Sequence, residues 1–127
     1  MSNPDRKSLR PRIDTAPAAT AEEAFQNAAL RPILKLQHDP LTATFHHYLA
    51  KRKVRVGSLS KAALREKTAE LLTRDNRLRG LLFGMVVGWL DTEELRYYLA
   101  HESAVNRRIT SMLIERLGVP PDTPSAP

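Results

Sequence analysis

The chain of 127 residues predicts an all-α protein, a compact bundle of five to six helices. Three observations carry this reading. Apolar residues recur at helical spacing through most of residues 21–118, two strings have the form of a capping box, and no stretch alternates convincingly with period two. Residues 1–20 mix polar residues, proline and alanine without periodicity and read as a flexible basic arm. Residues 21–118 form a single helical domain in this reading, and the proline-rich 119–127 a disordered tail. No internal repeat is visible.

The first helix begins at Thr20-Ala21-Glu22-Glu23, where threonine is the N-cap and Glu23 reaches back. Phe25, Ala29, Ile33 and Leu36 follow at helical spacing, interrupted by Pro32. Asp39-Pro40 can restart a helix, and Leu41, Phe45, Tyr48 and Leu49 continue the stripe. A continuous rod bent at both prolines is expected, with two helices meeting near Asp39 as the alternative. Val54-Arg55-Val56-Gly57-Ser58 breaks the pattern as a loop. Ser60 caps a helix from Lys61 to about Arg74, with Leu64, Leu71 and Leu72 inward. The next helix runs from about Asn76 to Leu90. Asp91-Thr92-Glu93-Glu94 opens a short helix with Leu95, Tyr98 and Leu99 inward. Ser103 caps the last helix, whose Val105, Ile109, Met112, Leu113 and Leu117 form a stripe closed by Gly118 and Pro120.

Within the Asn76–Leu90 helix, Gly80, Gly84 and Gly88 recur at every fourth position and so share one bare face. Each interior glycine costs about 0.8–1 kcal/mol relative to alanine, which predicts a compensating contact. The last helix or the bent first helix is expected to fill the groove, and a twin helix from a second copy is the alternative. The uncharged run at 80–90 is too short for a span of about 20 residues, so no membrane crossing is expected. The start of the chain has no apolar core, so no signal peptide is expected there.

There is no cysteine, which excludes disulfides, thiolate metal sites and cysteine nucleophiles. A cytoplasmic bacterial protein is the simplest setting. Lys and Arg number 20 against 14 acids, for a net charge of +6. Ten of those cations lie in residues 51–79 beside only three acids, and none of the acids falls between Lys51 and Arg65. Lys51, Arg52, Lys53, Arg55, Lys61 and Arg65 therefore form a candidate surface for an acidic partner, either RNA (including the ribosome) or DNA. A merely solvated basic face competes evenly with that reading. If all six touched phosphates, log K would fall against log salt with a slope of about −4 to −5. Arg6, Lys7, Arg10 and Arg12 of the arm would extend the contacts, and Tyr48 is near enough to stack on a base.

Other chemistry is sparse. His46 and His47 are adjacent on a helix and diverge by about 100°, and His38 and His46 are separated by about 12 Å along the axis. Neither pair suits a shared metal, and His101 stands apart, so no metal and no cofactor are expected. Glu93 and Glu94 belong to the first turn of a helix, where carboxylates complement the dipole. Asn106-Arg107-Arg108 offers guanidinium forks for phosphate or carboxylate, although ion pairs to Glu93, Glu94 or Glu102 are the plainer expectation. Tyr98 fits the core stripe, and Tyr97 points elsewhere, toward a possible interface.

The strings Phe25-Gln26-Asn27, Leu30-Arg31-Pro32-Ile33-Leu34-Lys35-Leu36-Gln37, Gly84-Met85-Val86-Val87-Gly88 and Asn106-Arg107-Arg108-Ile109 resemble a family of small, uncharacterised Bacteroidota-type bacterial helical proteins that often carry the loose label "glyoxalase". The resemblance covers roughly residues 8–117 and brings over no catalytic residues. Glyoxalases of the lactoylglutathione lyase type mount His, Glu and Gln ligands on paired strand-rich modules, and this chain has no strand pattern to mount them on. The expected function is thus a non-enzymatic helical module that docks on an acidic partner. The alternatives are a homo-oligomeric or adaptor protein working through Gly80, Gly84 and Gly88, and a small enzyme matching the family label.

Overall fold

The computed structural model describes residues 7–120, and among them every regular element is helical. Residues 1–6 of the expected arm and 121–127 of the expected tail lie outside the described residues. α1 (Ala21–Phe25), a π-helical turn (Gln26–Leu30) and α2 (Arg31–Leu36) run on as one helix, because the junction residues keep right-handed helical dihedrals. Thr20 caps it as expected, its hydroxyl oxygen accepting the Glu23 N–H at 3.0 Å. The Glu23 carboxylate reaches back past Thr20 to the N–H of Ala19, at 3.3 Å.

Pro32 does not break this helix. In the π turn the Arg31 N–H donates to Gln26 O, five residues back. Proline has no N–H to give the Ala28 carbonyl four residues earlier, and Arg10 Nη1 donates to that oxygen instead, at 3.2 Å. The rod breaks at Gln37 (φ −94°, ψ 12°), between the two prolines. α3 (His38–Lys51) restarts immediately, with Asp39 and Pro40 in its first turn.

α3 ends through Lys53, which takes a left-handed φ of 57°, and the Val54 N–H donates back to Leu49 O at 2.9 Å. Residues 53–60 then form the expected loop, stiffened by a 3₁₀ turn at Val56–Ser58. α4 (Lys61–Arg74) is capped by Ser60, whose hydroxyl accepts the Ala63 N–H at 3.1 Å. Asp75 ends α4 and caps α5 (Asn76–Val87), accepting the Leu78 N–H at 3.0 Å. α5 stops three residues short of Leu90, and Gly88, Trp89 and Leu90 form a turn. The capping box at Asp91 and Glu94 closes in both directions, at 2.8 and 3.0 Å, and starts α6 (Thr92–Ala100). α7 (Glu102–Leu117) begins at His101 rather than Ser103, so Asn106, Arg107 and Arg108 lie inside the helix and not in its dipole-sensitive first turn.

α4 packs along α7 and against α5, α3 packs on α5 and α7, and α6 leans on α7. One cluster of buried side chains unites them, with Phe45, Leu30, Ile33, Leu72, Leu82 and Ile109 sealed from solvent. His38 joins α3 to α7 by accepting from Arg116 Nη1 at its Nδ1, 3.1 Å away. Burial, then the Arg116 charge, holds the His38 pKa below its ordinary value. A lowered histidine pKa stabilises the fold fully above the unfolded value, about 6.5, and that contribution fades as pH falls below it. Unfolding followed by denaturant between pH 7 and 5 should lose part of this pH dependence in His38→Gln.

The glycine groove corrects the sequence expectation. α5 turns Leu78, Leu82 and Val86 into the core. Gly80, Gly84 and Gly88 sit two residues further on, about 200° around the axis, and are exposed on the far side. A β-carbon placed on Gly80 or Gly84 would meet no atom within 4 Å. Neither the first helix nor α7 fills the groove, because the leucine stripe decides which side of α5 faces inward.

Candidate nucleic-acid interface

The acid-free segment lies where α3 ends, along the 53–60 loop, and onto the first turns of α4. Lys51, Arg52, Lys53, Arg55, Lys61 and Arg65 are all exposed. Their arrangement is extended. Arg52 forms an ion pair with Asp75, which fixes the end of α3 beside the C-terminal end of α4. Lys61 stands at the other end of that helix. Its 14 residues span about 21 Å, so the loop runs back beside α4 and spreads the cations along a strip rather than gathering them in a pocket.

The strip is not uniform. Arg52 is committed to Asp75, and its guanidinium also sits 5.2 Å from the centre of the Tyr48 ring. Lys51 Nζ lies 5.8 Å from the same ring. Lys51, Lys53, Arg55, Lys61 and Arg65 form no ion pair with any described residue. Five of the six expected contact residues thus carry no ion pair among the described residues, and Arg52 works as the brace. Tyr48 is buried beneath these cations, so it is not the base-stacking platform expected of it.

The arm also departs from expectation. Arg10 places Nη1 and Nη2 on the two Glu94 carboxylate oxygens at 2.9 and 2.6 Å, and donates to Trp89 O at 3.1 Å. Its side chain is 5% exposed. Lys7 Nζ stands 2.9 Å from Asp91. Both residues serve the start of α6 and are withdrawn from the basic surface, whereas Arg12 is exposed. The signal for Arg10 was present in the sequence as a proline-orphaned carbonyl and a capping glutamate, but 84 residues separate the partners.

The remaining candidates fall into the scaffold. Tyr97 is half-buried within the fold, its ring stacked on Phe25 at 4.7 Å and on His101 at 4.2 Å. Tyr98 donates its hydroxyl hydrogen to Asn106 Oδ1 at 2.6 Å. Arg107 and Arg108 do not pair with Glu93, Glu94 or Glu102, since Glu94 belongs to Arg10 and Arg108 Nε donates to Gln26 Oε1 at 3.0 Å. No three His, Asp or Glu side chains gather as a metal would need among the described residues. No helix among them is long and apolar enough to cross a membrane. Comparison with protein-family models, curated proteins and solved structures finds no match to this chain.

Proposed function

We propose that this protein is a non-enzymatic binding module that docks on the phosphate backbone of RNA or DNA through the strip running from Lys51 to Arg65. The carrying observation is the set of five exposed cations without an acid partner among the described residues, spread over about 21 Å beside α4. A duplex strand presents a phosphate about every 3.4 Å along its axis, so a strip of this length faces several phosphates at once. Because Tyr48 is buried, recognition through charge rather than base stacking fits the surface.

Fluorescence anisotropy with a labelled RNA hairpin and a DNA duplex tests this. With five contacts, log K should fall against log salt with a slope of about −3.5 to −4.5. Lys51→Glu, Lys53→Glu and Arg55→Glu, introduced together with Arg52 left in place, should weaken binding by at least about 100-fold while the unfolding curve stays put. Binding that is indifferent to salt, or that survives these three reversals, sinks the proposal.

A second reading rests on the open groove of α5. Gly80 and Gly84 are exposed beside Leu81, itself 45% exposed, and such a face suits close approach of another copy's helix. Under that reading Gly84→Leu abolishes self-association in sedimentation velocity and leaves a folded monomer.

A further inference from the structure

Far along the sequence from the basic strip, the π turn and α7 enclose an open polar recess of about 390 Å³, lined by Glu22, Glu23, Gln26, Asn27, Arg31 and Arg108 along with the capping Thr20. The recess owes its chemistry to the π turn. Five residues apart on an α-helix, Gln26 and Arg31 would diverge by about 140° around the axis. In the π register the Arg31 N–H bonds directly to Gln26 O, which stacks the two positions and turns both side chains to the same recess.

Its donors are left open. Gln26 is only 9% exposed, and its Oε1 is occupied by Arg108 Nε at 3.0 Å. The Gln26 amide N–H₂ has no acceptor among the described residues, and it is not sealed from the recess. Facing the recess with no acceptor in the described fold, this amide is available to donate to a molecule that enters it. The Arg108 Nη groups and the whole Arg31 guanidinium likewise make no bond to a described residue. Glu22 and Glu23 line the recess, yet neither comes within 4 Å of either guanidinium as an ion pair.

We infer that this recess binds a single oxyanion, a carboxylate or a phosphate, held by Arg31 and Arg108 with the Gln26 amide donating from below. Planar guanidinium forks and a fixed amide match the paired oxygens of such a group. Glu22 and Glu23 oppose every added negative charge, so the two arginines can offset that cost for one small oxyanion far better than for a chain of phosphates, which separates this site from the basic strip.

The test uses the full chain, inorganic phosphate and acetate as separate probes, and chloride at matched ionic strength as the reference. Side-chain amide NMR signals of Gln26 and Asn27 should move saturably with one or both probes and stay still with chloride. Which probe binds more tightly identifies the source of the oxyanion. Arg31→Gln removes a guanidinium that has no partner among the described residues, so the fold should stay intact. It should weaken binding by about 10–100-fold, the worth of a charge-assisted hydrogen bond. The Lys51, Lys53 and Arg55 reversals should leave this titration unchanged. No saturable shift with either probe, or equal affinity in Arg31→Gln, overturns the inference.

Discussion

Arg10→Ala is expected to destabilise the protein by about 3–5 kcal/mol, the usual cost of breaking one side of a buried ion pair. Glu94 is left with its carboxylate largely buried, its side chain 12% exposed, and without its cation. The carbonyls of Ala28 and Trp89 lose their donor in the same step. Three elements come apart at once: the proline-bearing first helix, the turn after α5, and the start of α6. For a domain of about 100 residues this corresponds to a Tm loss of more than about 12 °C. A loss below about 1 kcal/mol in a denaturant titration would mean the pair behaves as a solvated surface bridge.

The same contact has a pH signature. Burial pushes the Glu94 pKa up, but the hydrogen bonds from Arg10 and from the Asp91 N–H outweigh it and hold the value below the ordinary one. Asp91 is lowered too, first by the Glu94 N–H and then by Lys7. Carboxylates with depressed folded-state pKa values stabilise the fold above their unfolded values, about 3.9 for Asp and 4.3 for Glu. That stability is lost as pH falls through the folded values. In Arg10→Met the acid limb of the stability curve should flatten, while the His38 effect above pH 5 persists.

Alanine substitutions at glycine should split by position. Gly80→Ala and Gly84→Ala add a β-carbon in open space on an exposed helix and remove the glycine penalty, about 0.8–1 kcal/mol each. The double variant should therefore unfold on the order of 10 °C higher. Gly118→Ala should go the other way by about 1–3 kcal/mol. Its β-carbon would fall 2.7 Å from Ile114 O and 3.2 Å from Arg65 Cα, both backbone atoms that cannot turn aside. A loss of stability in Gly84→Ala would refute an open groove. If copies associate through this face, the same variant gains stability as a monomer and loses the dimer in sedimentation.

The local grammar of the helices was readable in the sequence. Thr20, Ser60 and Asp91 cap where expected, and Lys61–Arg74 forms as predicted. These features depend on residues three or four apart, and nothing distant has to be known. The glycine stripe was misjudged because its small residues suit an interior and a bare surface equally well. The better signal was Leu78, Leu82 and Val86 on the opposite side of the same helix, since burial of apolar area outweighs the glycine penalty. The polar recess escaped notice because helical spacing assumes a four-residue turn, and the π turn sets a different register for Gln26 and Arg31.

By itself, then, the sequence determined an all-α chain, its caps and breaks, and a concentration of positive charge after Lys51. Those properties follow from short-range hydrogen bonding, from apolar periodicity and from composition. Only the tertiary structure decided which charges are spent and which remain. Arg10 and Arg52 look like their neighbours in the sequence, yet Glu94 and Asp75 claim them once distant segments meet. Lys51, Lys53, Arg55, Lys61 and Arg65 form no ion pair because no acid among the described residues comes within reach of them. Pairing between remote residues depends on how the helices pack, and packing was the one quantity the linear pattern did not contain.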